Sequence, residues 1–128
     1  MVNVTAAFGG VSVDDLPAAK EFYSTILGLE LEDETMGLHF KLPNGGNLFI
    51  YEKENHQPAS YTFLNFVVTD IDASVDELVK QGVVFEHYDE PMKTDEKGIM
   101  RGLSAQKGPD IAWFTDPAKN IIAVIQDS

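Results

Sequence analysis

The spacing of apolar residues in the first part of the chain changes from strand-like to helical. The apolar run Val4–Val13 predicts a buried strand, and the carboxylate of Asp14 or Asp15 is suited to capping a helix directly after it. The residues that then recur at helical spacing are Leu16, Ala19, Phe22, Tyr23 and Ile26. Gly28 is expected to end this helix, because glycine readily adopts the left-handed conformation found there.

Three strand-like segments complete the first half of the chain. They are Leu29–Glu34, Gly37–Leu42 and Asn47–Glu52, and the last two are joined by a Pro-Asn-Gly-Gly turn. The predicted order is therefore βαβββ. The polar segment Glu54–Ala59 that follows predicts a linker.

The same order of elements recurs in the second half. The predicted strands are Tyr61–Val68, Val83–Tyr88, Ile111–Thr115 and Asn120–Gln126, with a helix capped by Asp70 and closed by Gly82 after the first of them. Segment Asp89–Lys107 is expected to be a long loop that contains a strand and is able to cover a site. The pattern predicts one α+β domain over residues 1–128, built from two modules at about 1–54 and 60–128.

Composition narrows the classes of function. The 128 residues are 44% apolar and contain no cysteine, so the chain can fold alone without disulfides and has no thiolate nucleophile. A net charge of −12 disfavours nucleic acid as a partner. Neither a signal sequence nor an apolar stretch long enough to span a bilayer is evident, so we expect a cytoplasmic protein without membrane contact.

Both ends of the chain resemble a known family. Val11-Ser12-Val13-Asp14-Asp15-Leu16 with Leu27-Gly28-Leu29 is similar to the opening of vicinal oxygen chelate proteins, and Phe114-Thr115-Asp116-Pro117 with Asn120 is similar to their close. This superfamily includes glyoxalases, bleomycin resistance proteins and extradiol dioxygenases. The resemblance implies two βαβββ modules that form an eight-stranded, cup-shaped mixed sheet with helices on the outside, and it implies a homodimer.

The resemblance also implies four positions for metal-binding side chains, which are His, Gln or Glu in the enzymes of the family. In this chain they fall on Phe8 and Phe63 in the first strand of each module, and on Ile50 and Ala123 in the last strands. None of these side chains has a lone pair for a divalent cation. We therefore expect no metal and no other cofactor, although a rearranged site that uses some of the three histidines is an alternative.

His39 is the histidine of most interest. The hairpin of the second module predicts that Trp113 pairs with Ala123, and by analogy His39 is placed opposite Ile50, so that both would face the cup. A simpler interpretation is a histidine packed on a half-buried sheet with a satisfied hydrogen bond.

The predicted wall of the cup has the composition of a small-molecule pocket, which is mostly apolar with a few polar groups. Its residues are Phe8, Ser12, His39, Ile50, Tyr61, Phe63, Asn65, Trp113 and Ala123. The leading interpretation is a metal-independent protein that binds a small, partly apolar molecule. Acidic residues near the mouth, Asp89 and Glu90 among them, would favour a cationic ligand.

Two alternatives remain open at this point. One is a lyase, isomerase or dioxygenase that uses relocated metal ligands or His39 as a general base. The other is a regulatory subunit whose cup is filled by core side chains and which binds a partner through an apolar patch elsewhere.

Overall fold

A computed structural model describes residues 2–128 of the chain. The chain divides into two compact units, the first ending at Pro58 and the second extending from Ala59 to Ser128. Within the described residues, no helix combines the length and the apolar character needed to cross a membrane.

The first unit has the predicted βαβββ order. Its elements are β1 Gly9–Val13, α1 Leu16–Glu21 with a π-helical continuation Phe22–Ile26, β2 Glu30–Asp33, β3 Leu38–Lys41 and β4 Asn47–Glu52. The strands form a mixed sheet in the order β1-β4-β3-β2, with β1 parallel to β4. The prediction that the first strand begins at Val4 is wrong. Pairing with β4 begins at Gly9, which lies opposite Leu48, so residues 4–8 are not part of the strand.

The second unit repeats this arrangement, which confirms the α+β class with two βαβββ modules. Its elements are β5 Thr62–Val67, α2 Ile71–Lys80, β6 Ile99–Arg101, β7 Asp110–Thr115 and β8 Ile121–Gln126. Its sheet has the order β5-β8-β7-β6, again with the first and last strands parallel. Strand β6 lies inside the long segment that was expected to be a loop containing a strand.

The edge of β7 is shared by two segments of the chain. Strand β6 pairs with the first half of β7, whereas Phe85 bridges Phe114 in its second half and the Glu86 amide donates to the Trp113 carbonyl at 2.8 Å. The prediction of a strand over Val83–Tyr88 is therefore wrong. Segment 83–88 pairs with β7 only at Phe85 and Glu86, because β6 pairs with the first half of that strand.

Both helices begin with the predicted aspartate cap. The side chains of Asp15 and Asp70 each accept a hydrogen bond from the amide three residues later, at 3.1 Å in both cases. This interaction satisfies one of the amides that a helix start leaves unpaired. Gly28 and Gly82 follow the helices with φ angles of +71° and +96°, as expected for helix-terminating glycines.

Strand register is equivalent in the two units. The Leu42 amide donates to the Gly46 carbonyl at 2.7 Å, and the Asp116 amide donates to the Asn120 carbonyl at 2.9 Å, so the two hairpins close in the same way. Three residues before the first member of each closing pair lie His39 and Trp113. These two positions therefore correspond, as predicted.

The partner predicted for His39 is wrong by one residue. The predicted pair of Trp113 and Ala123 is confirmed, but His39 pairs with Phe49, while Ile50 pairs with Leu38. Because alternate residues of a strand point to opposite faces, His39 and Ile50 lie on opposite faces of the sheet. Ile50 is fully buried in the core of the first unit.

An ion-pair network joins α2 to β6 in the second unit. The Arg101 guanidinium donates to both carboxylate oxygens of Asp72 at 2.8 and 2.9 Å, and to Asp95 at 2.9 Å. Lys97 contacts Asp72 and Asp76, at 3.1 Å each. These bonds fix Arg101 within the unit.

Candidate functional site

A pocket of about 570 Å³ lies in the second unit, where β5 and β8 begin. We call it the Trp113 pocket, and its lining residues are Ser60, Tyr61, Thr62, Tyr88, Asp89, Glu90, Pro91, Met92, Trp113 and Ile121. The strands contribute a fixed wall, because Thr62 pairs with Ile121 across β5 and β8. Residues 88–92, which follow the bridge between Phe85 and β7, form the opposite rim.

Two of the aromatic rings that line this pocket are in contact with each other. The rings of Tyr88 and Trp113 lie 5.4 Å apart and meet edge to face at 67°, an arrangement favoured by their quadrupoles. Partial burial, and then the negative charge of Glu86, raise the pKa of the Tyr88 phenol above its ordinary value. The phenol is therefore protonated at neutral pH and can donate a hydrogen bond.

Thr94 holds the rim segment in place. Its hydroxyl oxygen accepts a hydrogen bond from the Tyr88 amide at 2.9 Å, and its own amide donates to the Tyr88 carbonyl at 3.1 Å. Thr94 is itself buried. Residues 89–92, which line the pocket, are thereby enclosed in a loop whose two ends are bonded to each other.

Replacement of Thr94 by Val should lower the free energy of unfolding by about 1–2 kcal/mol, because the isosteric side chain leaves the Tyr88 amide without its acceptor. The measurement is urea denaturation, with Thr69→Val as an exposed control. Trp113 emission should also change in the folded variant, since Tyr88 contacts this ring. Stability within about 0.3 kcal/mol of the parent would show that Thr94 does not fix the rim.

Two of the four site residues predicted in the first unit, Phe8 and His39, belong to an aromatic cluster with Phe49 and Tyr51. The rings of His39 and Phe49 lie 4.7 Å apart, Phe49 stacks on Tyr51 at 5.6 Å, and Phe8 approaches Phe49 edge-on at 6.3 Å. Phe8 precedes β1 and is largely exposed. Ser12 lies in β1, where its hydroxyl is 2.6 Å from the His56 Nδ1.

His39 is held by a short-range hydrogen bond. Its Nε2 lies 2.8 Å from the Thr35 carbonyl oxygen, so the tautomer that donates from Nε2 satisfies this contact. The Thr35 hydroxyl and amide hold the pKa of the neighbouring Asp33 carboxyl below its usual value, and His39 contributes in the same direction. This geometry agrees with the packed, hydrogen-bonded interpretation of His39.

Three of the predicted residues in the second unit share one face of its sheet. Asn65, Ala123 and Trp113 lie side by side on β5, β8 and β7, and Ala123 is fully buried. Phe63 is half-buried at an irregularity between Thr62 and Leu64. Of the residues predicted from sequence, the structure brings Tyr61 and Trp113 together in the Trp113 pocket.

Tyr88 was missed by the sequence analysis. It stands at the end of the segment Val83–Tyr88, in which the buried Val83 and Phe85 alternate with an exposed Val84 as in a regular strand. Extrapolating that alternation gives no reason to place Tyr88 against Trp113. The contact exists because the chain departs from the sheet after Glu86.

The residues at the metal-binding positions implied by the resemblance do not fit a metal ion. The corrected register replaces Ile50 with Phe49 as the counterpart of Ala123, so the four positions hold Phe8, Phe49, Phe63 and Ala123. None of these side chains donates a lone pair to a cation. Across residues 2–128, no three His, Asp or Glu side chains are grouped closely enough to hold an ion.

Comparisons with known proteins agree on the fold. The family model of the Glyoxalase/Bleomycin resistance protein/Dioxygenase superfamily matches residues 3–124. A search of curated proteins found no match. Among solved structures, TnmS3, an antibiotic binding protein from Streptomyces sp. CB03234, is 22% identical, with 100% of both chains covered and a TM-score of 0.70.

Two further solved structures carry different functional names. FosX, a fosfomycin resistance protein from Listeria monocytogenes, is 17% identical, with 99% of this chain and 96% of that chain covered and a TM-score of 0.70. A lactoylglutathione lyase from Agrobacterium tumefaciens is 19% identical, with 97% and 95% covered and a TM-score of 0.66. At these identities the similarity shows the fold alone.

Proposed function

Because this chain belongs to the Glyoxalase/Bleomycin resistance protein/Dioxygenase superfamily, we propose that it is a metal-independent protein that binds a small, partly apolar molecule in the Trp113 pocket. The observation that carries the proposal is the lining of that pocket. Three aromatic rings, a proline, a methionine and an isoleucine provide apolar surface, and the hydroxyls of Ser60 and Thr62 provide polar points. Ligand pockets characteristically combine such features.

The chemistry of the side chains supports metal independence. Family enzymes need ligands that converge on a cation, and here the corresponding positions carry Phe8, Phe49, Phe63 and Ala123. Binding of an apolar molecule requires only desolvation and shape, at roughly 25 cal/mol per Å² of apolar surface removed from water. The antibiotic binding protein with the same fold is consistent with this class of function.

Trp113 is the single tryptophan of the chain, so its fluorescence reports directly on the proposed site. We expect 1-naphthylmethanol, a neutral apolar probe, to alter Trp113 emission saturably, with a Kd on the order of 1 mM or below. Tyr61→Ala should weaken binding by about threefold or more, because it removes an exposed ring from the pocket. Val84→Ala removes apolar surface at an exposed position outside the lining and should leave the Kd unchanged.

Addition of metal ions tests whether the protein is metal-independent. Zinc, nickel, manganese or iron(II), the last under anaerobic conditions, should leave the Tm of the chelator-treated protein unchanged, since a bound ion would stabilise the folded state by mass action. A concentration-dependent rise in Tm that disappears in His39→Ala would contradict metal independence and favour the enzyme alternative. Absence of any probe binding would instead contradict the proposed pocket.

A further inference from the structure

We propose that the ligand of the Trp113 pocket is a cation carried on an aromatic or other apolar group, such as a protonated or quaternary amine. This inference rests on the proposed function and adds the charge class of the ligand. It follows from two features of the same lining: a set of aromatic rings, and two carboxylates at the rim.

The rings provide the first attraction. Tyr61, Tyr88 and Trp113 all line the pocket, and the edge-to-face contact of Tyr88 with Trp113 sets two ring planes at a steep angle to each other. The face of an aromatic ring carries negative electrostatic potential, so a cation placed within about 6 Å of a ring centroid is stabilised. A neutral ligand of the same shape gains only apolar contact.

The carboxylates provide the second attraction. Asp89 and Glu90 are exposed rim residues, and the ion pairs described within residues 2–128 involve neither of them. The lining residues described for this pocket include no Lys, Arg or His. An anionic ligand in this pocket would therefore meet two carboxylates and no basic side chain of the lining.

The negative charge of this lining is a local feature and does not simply follow from the net charge of the chain. A second pocket of about 550 Å³ in the same unit is lined by Lys93, Arg101 and Lys107 as well as by Glu90 and Asp95. Basic side chains thus collect at that neighbouring pocket although acidic residues outnumber them in the sequence. The Trp113 pocket differs in combining aromatic rings with acidic groups alone.

The test uses three probes with one apolar group and different charges: 1-naphthylmethylammonium, 1-naphthylmethanol and 1-naphthylacetate. Calorimetry on the full chain at neutral pH and low salt gives each Kd, and the Trp113 indole N–H signal in NMR spectra locates the site. We expect the cation to bind about five- to tenfold more tightly than the neutral probe, and the anion more weakly than both. Added salt should narrow these differences.

Charge-neutralising variants separate a local effect from a global one. The double variant Asp89→Asn with Glu90→Gln should abolish most of the preference for the cation while leaving the Kd of the neutral probe within about twofold. The matched control, Glu77→Gln with Glu96→Gln, removes the same charge from exposed positions outside the lining and should retain the preference. Retention of the preference in the first variant, or its loss in the control, would overturn the role of Asp89 and Glu90.

The outcomes also separate this inference from the proposed function. If the neutral probe binds at Trp113 as tightly as the cation, the pocket binds apolar molecules and the charge inference is wrong. If none of the three probes perturbs Trp113, both the inference and the proposed function fail.

Discussion

Replacement of Asp116 by Ala should lower the free energy of unfolding by about 2–4 kcal/mol, the largest effect we expect from a single substitution outside the apolar core. Asp116 is almost completely buried in the turn between β7 and β8. Its Oδ1 accepts hydrogen bonds from the amides of Ala118 and Asn120 at 2.9 Å each, and its Oδ2 accepts one from the Asn120 side chain at 3.0 Å. Alanine leaves these buried donors without that acceptor.

Urea denaturation of Asp116→Ala and Asp116→Asn measures this effect. Asparagine keeps one acceptor oxygen but presents an amide to the Asn120 side chain, so its loss should be smaller than that of alanine. Pro117→Ala, at an exposed position in the same turn, serves as the control and should stay within about 1 kcal/mol of the parent. A loss below about 1 kcal/mol for Asp116→Ala would show that the turn closes without this carboxylate.

Arg101→Met should lower the free energy of unfolding by about 2 kcal/mol at neutral pH. Methionine keeps much of the apolar stem but leaves Asp72, Asp95 and Asp110 without the guanidinium that now lies among them. This expected loss in free energy of unfolding lies between those typical of exposed and of buried ion pairs, because the side chains of Arg101 and Asp72 are 35% and 48% exposed. Lys20→Met removes a more exposed pair with Glu34 and should cost less than about 0.5 kcal/mol.

The cost of Arg101→Met should depend on pH. Hydrogen bonds from Arg101, and then from Lys97, hold the pKa of Asp72 well below its usual range. Burial alone would raise the pKa of Asp95, but bonds from the Ile99 amide and Arg101 outweigh it and lower that pKa. Stability from these groups is complete above their unfolded pKa of about 3.9 and is lost as the pH falls further, because the unfolded chain takes up protons first.

Denaturation of the parent and Arg101→Met at several values from about pH 6 to pH 3 tests this dependence. Without the guanidinium, the folded-state pKa values of Asp72 and Asp95 return toward their ordinary values, so acid destabilises the variant less. The difference between the two proteins should therefore narrow below about pH 4. A difference that stays constant across this range would mean that Arg101 contributes through packing rather than charge.

Local patterns predicted the elements whose ends are determined by neighbouring residues. The caps at Asp15 and Asp70 and the turn containing Asp116 depend on side chains that bond to amides two to four residues away. Such bonds can be inferred from spacing alone. The resemblance to a family then added the expectation that the strands form mixed sheets, which local spacing does not determine.

The wrong predictions concern strand register and strand pairing, which the spacing of residues within one segment does not determine. The prediction took Ile50 and Ala123 because each lies three positions after an asparagine, Asn47 or Asn120, and so treated these asparagines as equivalents. The hairpin closures show instead that Gly46 is the counterpart of Asn120. Because of that one-residue offset, Ile50 was predicted to pair with His39 where Phe49 does so in the structure. The segment before Tyr88 has the alternation of a strand, but β6 already occupies the first half of the β7 edge with which it pairs.

The shared edge of β7 has a consequence for how this fold can change. Phe85 lies opposite Phe114 and Ile99 lies opposite Ala112, so the ends of segment 87–98 are anchored about 7 Å apart along one strand. Within it, residues 89–92 lie between Tyr88 and Thr94, which are bonded to each other. Loop-closure entropy rises slowly with length, so these four residues can be exchanged or lengthened at little cost to the sheet. A new ligand preference could thus evolve or be engineered at the pocket rim while Tyr88 and Trp113 stay in place.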